Sequence, residues 1–339
     1  MKKILKVLGI FILILVILFV IVIASGYLFI RGKLSKMQQV EINKDNLNIS
    51  QKESENLSGF RNIAIYGVDS RDDELGKGNR SDCIIIASID NKSKSIRLIS
   101  VYRDTYVDIE GYGLDKITHA YAYGGPELAL KTLNENLDLN VSEFLTVNFD
   151  SVADAVNALG GIKITVESDE LEDLNRIISD TSKHTGISSD YISEPGTQTL
   201  DGVQAVSYAR IRHTSGGDYR RTERMRTVIE AMFEKLKTKS LGEINDFADE
   251  ILPKVYTNVG PDSIIMLAPL VLQYEISDSI GWPYNVEGIT LDRWYGVPVT
   301  LESNVERLHR EVFGEENYTA STAVQEISNR IVERTGYSE

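Results

Sequence analysis

Cysteine is all but absent from this chain: Cys83 is the only one in 339 residues. A lone thiol excludes an intramolecular disulfide and a thiolate metal site. Its setting in "CIIIASI" is that of a small buried apolar residue rather than a nucleophile. Histidine is scarce too, and His119, His184, His213 and His309 lack ligand spacing, which argues against zinc. A G-x-S-x-G elbow, a Walker A loop and a G-x-G-x-x-G fingerprint are all missing. Positive charge is in deficit, and the first 30 residues hold three lysines and no acids, which leaves 33 basic against 50 acidic residues and a formal −17 for the remainder. Such a body repels nucleic acid, and no basic stripe with interleaved aromatics offsets it, so nucleic acid is excluded as a partner.

Against that acidic background stands one dense basic run. "YARIRHTSGGDYRRTERMR" carries Arg210, Arg212, Arg220, Arg221, Arg224 and Arg226 without a lysine. Guanidinium is planar, permanently charged and able to donate two parallel hydrogen bonds, so arginine without lysine points to fixed recognition of phosphate or carboxylate. The competing reading for any single member is a helix-surface ion pair, such as Arg220 or Arg226 with Glu223. For the set, with Gly216-Gly217 in its middle, anion binding is the stronger reading.

The chain begins with six residues containing Lys2, Lys3 and Lys6, followed by 24 uncharged residues from Val7 to Ile30. As a helix this run is about 36 Å long against a hydrocarbon core of about 30 Å. It predicts a single-pass anchor in the cell membrane over 7–30, with a cytoplasmic tail of residues 1–6 and the acidic body outside. Residues 31–59 turn polar and predict a juxtamembrane linker.

Beyond it, "RNIAIYGVD", "CIIIASID" and "SIRLISVYRD" predict three buried strands. "PELALKTLNENL" predicts a helix with Leu128, Leu130, Leu133 and Leu137 inward, and "EFLTVNFD" a strand. "DSVADAVNALGG" predicts a helix capped by Asp150 or Ser151 and stopped at Gly160-Gly161. "IKITV" predicts another strand. The polar stretch 168–198 predicts a long excursion, "YRRTERMRTVIEAMFEKLKT" a long helix, and 242–275 further helices. The whole is α/β: a single three-layer domain over residues 60–339 with a central mixed β-sheet covered by helices.

Two aspartates stand 13 positions apart at strand–loop junctions, Asp69 in "YGVDSR" and Asp82 in "GNRSDC". If their strands are neighbours, both carboxylates reach one edge of the sheet. One or two carboxylates plus substrate oxygens is how Mg²⁺ is usually held, although aspartate at a loop edge also caps turns. Arg80 precedes Asp82, and Arg103 follows the third strand. Open α/β sheets bind ligands at the carboxyl ends of their strands, so these residues and the arginine run have reason to converge.

From Asn62 to Ile229 the chain resembles the LytR–CpsA–Psr family. The resemblance is carried, in order, by "NIAIYGVDSR", "NRSDCIIIASID", "ISVYRDTYV", "KITHAYAYGGPELALKTLNENL", "FLTVNFDSVADAVNALGGI", "GTQTLDGVQAVSYARIRH" and "GGDYRRTERMRTVI". It implies an extracytoplasmic phosphotransferase of Gram-positive cell envelopes. Such an enzyme moves a glycopolymer, of wall teichoic acid or capsule type, from an undecaprenyl-pyrophosphate carrier to peptidoglycan. By motif it implies Asp69 and Asp82 as Mg²⁺ ligands, and Arg80, Arg103, Arg210, Arg212, Arg221 and Arg224 around the pyrophosphate. Asp218 joins Arg103 and Arg210 as the residues implied in catalysis. Where the family often reads Arg-Gln, this chain has Arg224-Met225 and lacks the amide. The polyprenyl tail further requires an apolar slot between helix and sheet. A polyprenyl-phosphate-binding regulator and a lipid pyrophosphatase remain the alternatives.

Overall fold

The computed structural model describes residues 31–338 apart from 33, 71–73, 215–216, 261–262 and 264–272, and no side chain of His184, Asp218 or Leu241. The anchor expected over residues 7–30 and the tail of residues 1–6 lie outside the described residues. Among the described residues no helix is long and apolar enough to cross a membrane.

The chain order begins with strand β1 (Gln38–Gln39), helix α1 (Gln51–Asn56), and strands β2 (Phe60–Val68), β3 (Ser81–Asp90) and β4 (Ser95–Val101). A hairpin of β5 (Tyr106–Ile109) and β6 (Gly113–Lys116) leads into helix α2 (Ile117–Leu137), strand β7 (Glu143–Asn148) and helix α3 (Phe149–Ala158). Strands β8 (Ile162–Val166) and β9 (Gly196–Leu200) flank helix α4 (Leu171–Thr185), and helices α5 (Gly202–Ala209), α6 (Gly217–Lys237) and α7 (Leu241–Ile251) follow. Short strands β10 (Tyr256–Thr257), β11 (Glu275–Ile276) and β12 (Ile280–Trp282), the hairpin β13 (Val286–Thr290) and β14 (Trp294–Pro298), and helices α8 (Leu301–Leu308) and α9 (Thr322–Thr335) complete the described chain.

The central sheet is mixed, in the order β1-β10-β7-β2-β3-β4-β11, with β12 also on β4. Its middle strands are apolar without a break because both faces are covered. Along β3, Ile84 and Ile86 enter one core, whereas Cys83, Ile85 and Ala87 enter the other. Helix α2 and the C-terminal helices cover the first face; helices α3 to α6 cover the second. The three-layer expectation is met. The inward set on α2 holds as well, with Leu130, Leu133 and Leu137 buried and Leu128 packed at the margin.

Four local expectations change. Residues 31–59 are not a linker: β1 pairs with β10, and Leu47 and Leu57 are fully buried in the first core. Four widely spaced apolar residues (Leu34, Met37, Leu47 and Leu57) do this, and burying each such side chain contributes about 1.5–3 kcal/mol. The stretch 168–198 is not an excursion, because α4 buries Leu174, Ile177 and Ile178 on one stripe and β9 pairs with β8. Residues 242–275 are not all helical, since β10 enters the sheet beside β7. Helix α3 is capped by Asn148, whose side chain accepts from the Ser151 N–H at 2.8 Å, rather than by Asp150 or Ser151.

Candidate active site at the carboxyl edge of the sheet

Strands β2 and β7 run parallel, and β3 is antiparallel to both β2 and β4, so β2, β4 and β7 all end at one edge. That edge carries Asp69, Arg103 and Phe149 just beyond the strand ends, with the start of β3 between them. The register of β2 on β3 slips there: Gly67 faces Cys83, but Val68 faces Ser81. Asp82 is the extra residue of a β-bulge, a device that re-aims a side chain at the end of a ladder. Gly67 permits the close approach, since a Cβ there would lie 2.8 Å from the Cβ of Cys83. The expected convergence of Asp69 and Asp82 on one sheet edge therefore follows from the strand pairing.

The bulge presents the Asp82 carboxylate to arginines from two distant segments. Arg103 Nη1 donates to Oδ1 at 2.8 Å, and Arg221 Nη2 donates to Oδ2 at 2.9 Å. Arg212 Nη2 stands 3.8 Å from the same Oδ2. Burial works against the charge on Asp82, but the guanidiniums of Arg221 and Arg103 outweigh it and hold the carboxyl below its ordinary range. Arg103 is fixed through its backbone, whose carbonyl accepts from the Thr118 N–H at the start of α2 at 3.1 Å. Its Nε lies 3.6 Å from Asp104, which is also bridged by Lys116 at 2.7 Å.

Three of the remaining arginines of the run take different roles. Arg210 caps α5, donates to Thr181 Oγ1 at 3.0 Å, and lies 5.4 Å from the Phe149 ring centre. Arg224 is enclosed: Nε donates to Glu170 at 2.7 Å, Nη1 to the Ile211 carbonyl at 3.2 Å, and Nη2 to Thr214 at 2.6 Å. It braces the loop that carries Arg212, with Nε, Nη1 and Nη2 all engaged by protein partners, rather than standing open to a pyrophosphate as the resemblance implies. Arg220 lies at the surface, 3.7 Å from Glu223, as the ion-pair reading anticipated. Arg80 and Asp69 are exposed, and Asp218 falls in the first turn of α6.

Sequence reasoning passed over Glu170 and Asp173. Asp173 accepts the backbone N–H groups of Arg212 and His213, both at 3.2 Å, and pairs with Arg176. Partial burial opposes its ionisation, but Arg176 and those two N–H groups prevail and bring it down to about 2. No motif marks either acid, yet the apolar stripe Leu174, Ile177, Ile178 has helical spacing and would have placed both near the start of a helix.

Behind the arginine cluster, a cavity of about 250 Å³ lies between the sheet and helices α3, α5, α6 and α7. Gly67, Cys83 and Phe149 line its end at the sheet edge, and Phe247 and Ile251 its outer side. Met225, the departure from Arg-Gln, is buried and lines this slot as well. Burial pushes the Cys83 thiol up to about 12, so it is part of an apolar wall and no nucleophile at neutral pH. An apolar slot between helices and sheet thus adjoins the cluster.

Comparison with known proteins settles the family. The LytR_cpsA_psr family profile matches residues 25–292. The chain belongs to the LytR_cpsA_psr family. Among its relatives is the polyisoprenyl-teichoic acid–peptidoglycan teichoic acid transferase TagT of Bacillus subtilis (strain 168), 31% identical over 79% of this chain and 84% of TagT. A TagU of the same description from Enterococcus faecalis (strain ATCC 700802 / V583) is 35% identical, over 63% of this chain and 65% of TagU. A solved structure described as the LytR-CPS2A-psr family protein YwtF (TagT) with bound octaprenyl pyrophosphate lipid superposes with a TM-score of 0.57 at 25% identity. That superposition covers 88% of this chain and 100% of the other. The central mixed sheet with its helical layers is therefore the architecture of this LytR_cpsA_psr member.

Proposed function

We propose that this protein is a phosphotransferase that moves an anionic glycopolymer, of wall teichoic acid or capsule type, from an undecaprenyl-pyrophosphate carrier to peptidoglycan. It works on the outer side of the cell membrane, held there by the anchor expected over residues 7–30. The observation that carries the reading is the Asp82–Arg103–Arg221 cluster at the end of an apolar slot. A long apolar tail joined to a doubly charged diphosphate matches that pairing of surfaces. The names of TagT and TagU support the same reaction class.

Phosphoryl transfer requires positioning and charge neutralisation more than covalent protein chemistry. The acceptor sugar hydroxyl attacks the glycan-side phosphorus and forms a new P–O bond. The bond from that phosphorus to the bridging oxygen breaks, and lipid monophosphate departs with its electron pair. The hydroxyl proton passes to a carboxylate at the site, with Asp104 and Asp218 the candidates. Arg103, Arg212 and Arg221 hold the diphosphate from Asp82's side, and Arg210 approaches from Phe149's side. Arg80 approaches from the loop before β3. Asp104 and Lys116 fix the orientation of the Arg103 guanidinium.

The donors available to a cation are hard carboxylate oxygens, which suits Mg²⁺. Among the described residues no group of three or more His, Cys, Asp or Glu side chains could hold a metal, so Asp69 and Asp82 would hold Mg²⁺ jointly with substrate oxygens. Bound there, it would neutralise charge developing on the departing phosphate.

Product analysis tests the reading. The full chain in detergent, given Mg²⁺, a polyprenyl-pyrophosphate disaccharide and a peptidoglycan fragment, should yield lipid monophosphate and a phosphodiester-linked conjugate in equal amounts. Lipid monophosphate with free glycan phosphate would identify a pyrophosphatase, and neither product would identify a binding protein.

A further inference from the structure

On the other side of the arginine cluster from the slot lies a second cavity, of about 240 Å³. It is lined by Tyr102, Asp104, Tyr219 and Trp294, with Gly217 and Gly296 at its margins. Two of its aromatics are among the few large apolar side chains in the open, Trp294 at 43% and Tyr219 at 37% exposure. The Tyr219 ring meets Tyr102 edge to face at 4.5 Å.

These rings are seated by the backbone beneath them. Gly288 and Gly296 face each other across the β13–β14 hairpin, and the Trp294 indole lies over both. A Cβ at Gly288 would come within 2.9 Å of Nε1, and one at Gly296 within 3.6 Å of the ring. Gly281 makes the same allowance for Tyr102, whose hydroxyl would lie 2.1 Å from a Cβ there. The hairpin is tied to the catalytic edge, since the Gly296 N–H donates to the Asp104 carbonyl at 3.0 Å and Thr105 bridges to Gly296. At the rim the Lys116–Asp104 ion pair adds charge, with Nζ 6.0 Å from the Trp294 ring centre.

We propose that this groove is the acceptor-side saccharide subsite, taking an uncharged N-acetylhexosamine unit of a glycan strand. The inference rests on the transfer reaction proposed above. A pyranose ring offers an apolar face of C–H groups that stacks on indole and phenol rings, and equatorial hydroxyls at its rim that bond a carboxylate and an ammonium. A second hydrocarbon tail would desolvate the Asp104–Lys116 pair with nothing in return. Position selects the acceptor over the donor. Attacking and leaving oxygens lie roughly in line across the phosphorus. The slot, built from β7, β2 and β3, holds the leaving lipid on one side of the cluster, and the groove, built beyond β4, lies on the opposite side where the hydroxyl must enter. Asp104 then stands within the groove beside the attacking hydroxyl.

The test uses the full chain in detergent with tetra-N-acetylchitotetraose as the acceptor probe. The chain contains two tryptophans, and Trp282 is fully buried, so a saturable emission change on titration reports Trp294. Trp294→Phe should abolish that change. In steady-state transfer from a polyprenyl-pyrophosphate disaccharide, Trp294→Ala should raise the acceptor KM about tenfold while the donor KM stays within about twofold. Trp294→Tyr should restore most of the loss. An unmoved acceptor KM would overturn the subsite, and so would a rise confined to the donor KM, which would make the groove a donor-glycan site. Failure of the wild-type chain to release lipid monophosphate with any acceptor would instead sink the transfer reaction, while the emission titration still decides whether the groove binds sugar.

Discussion

Arg224 and Glu170 form an ion pair 2.7 Å apart with their side chains only 2% and 1% exposed. Neither charge has bulk water to fall back on. Removing one partner of such a pair typically costs about 3–5 kcal/mol, because the survivor is a buried uncompensated charge. Glu170→Ala and Arg224→Ala should each lower the unfolding free energy from urea curves by that scale. The double substitution should cost clearly less than the sum of the two, and strict additivity would show that the pair is not coupled.

Asp82 holds two guanidiniums at once, so its charge matters more than its shape. Asp82→Asn preserves the volume of the side chain but leaves Arg103 and Arg221 without their counter-charge. Release of lipid monophosphate should fall by about 10²–10³-fold, the range seen when one preorganised electrostatic group is lost. Arg103→Lys should fall nearly as far, because an ammonium cannot reproduce the fork that spans Asp82 and a phosphate. Unchanged release by either variant would move the reaction away from this cluster.

The acid limit of stability should carry the mark of Asp173, whose carboxyl is lowered from 3.8 to about 2. A folded-state pKa below the unfolded one gives stability that is complete above about pH 4 and is lost as pH falls through about 2. Asp173→Asn should therefore be less stable than the wild type at pH 7, and the gap should close on acidification below 3.8. Urea unfolding curves from pH 7 to pH 2 measure this, and a gap that stays constant would refute the linkage.

Lipid recognition is separable from phosphate recognition if the slot takes the polyprenyl chain. Ala155 is buried on α3 and lines the slot. Ala155→Phe should fill part of the cavity and weaken a long-chain polyprenyl pyrophosphate far more than a short geranyl pyrophosphate, as competition binding would show. Arg210→Ala should do the reverse, weakening both pyrophosphates but not a neutral polyprenol.

Strong local patterns translated well into the fold. β2, β3 and β4 are runs of Ile, Val and Leu with turn residues between them, and the second half of α2 repeats leucine at helical spacing. Where composition was mixed, the pattern failed. Leu34, Met37, Leu47 and Leu57 are too sparse to announce a packed segment, although all four are buried. Helix α4 was hidden by its acids. The site divided in the same way. Asp82, Arg103 and Arg221 could be named from motifs and strand ends, but the enclosure of Arg224 could not. Its partner Glu170 is 54 residues away in the chain, and no periodicity pairs residues at that range. The aromatic groove was invisible for the same reason, since it joins Tyr102, Tyr219 and Trp294 only after the hairpin has docked.

The slip in register between β2 and β3 has an evolutionary side. Along β3 each residue is committed to one of two cores, so a change in length would turn every following side chain to the wrong face. The single unpaired position at Asp82 lies ahead of that committed run. Residues ahead of the paired Ser81, from Arg80 back into the preceding loop, can therefore be lengthened, shortened or rewritten while Cys83 to Asp90 stay in phase. The bulge works as a slip joint: relatives sharing this sheet can diverge in what they grip at its edge without re-solving how the interior packs.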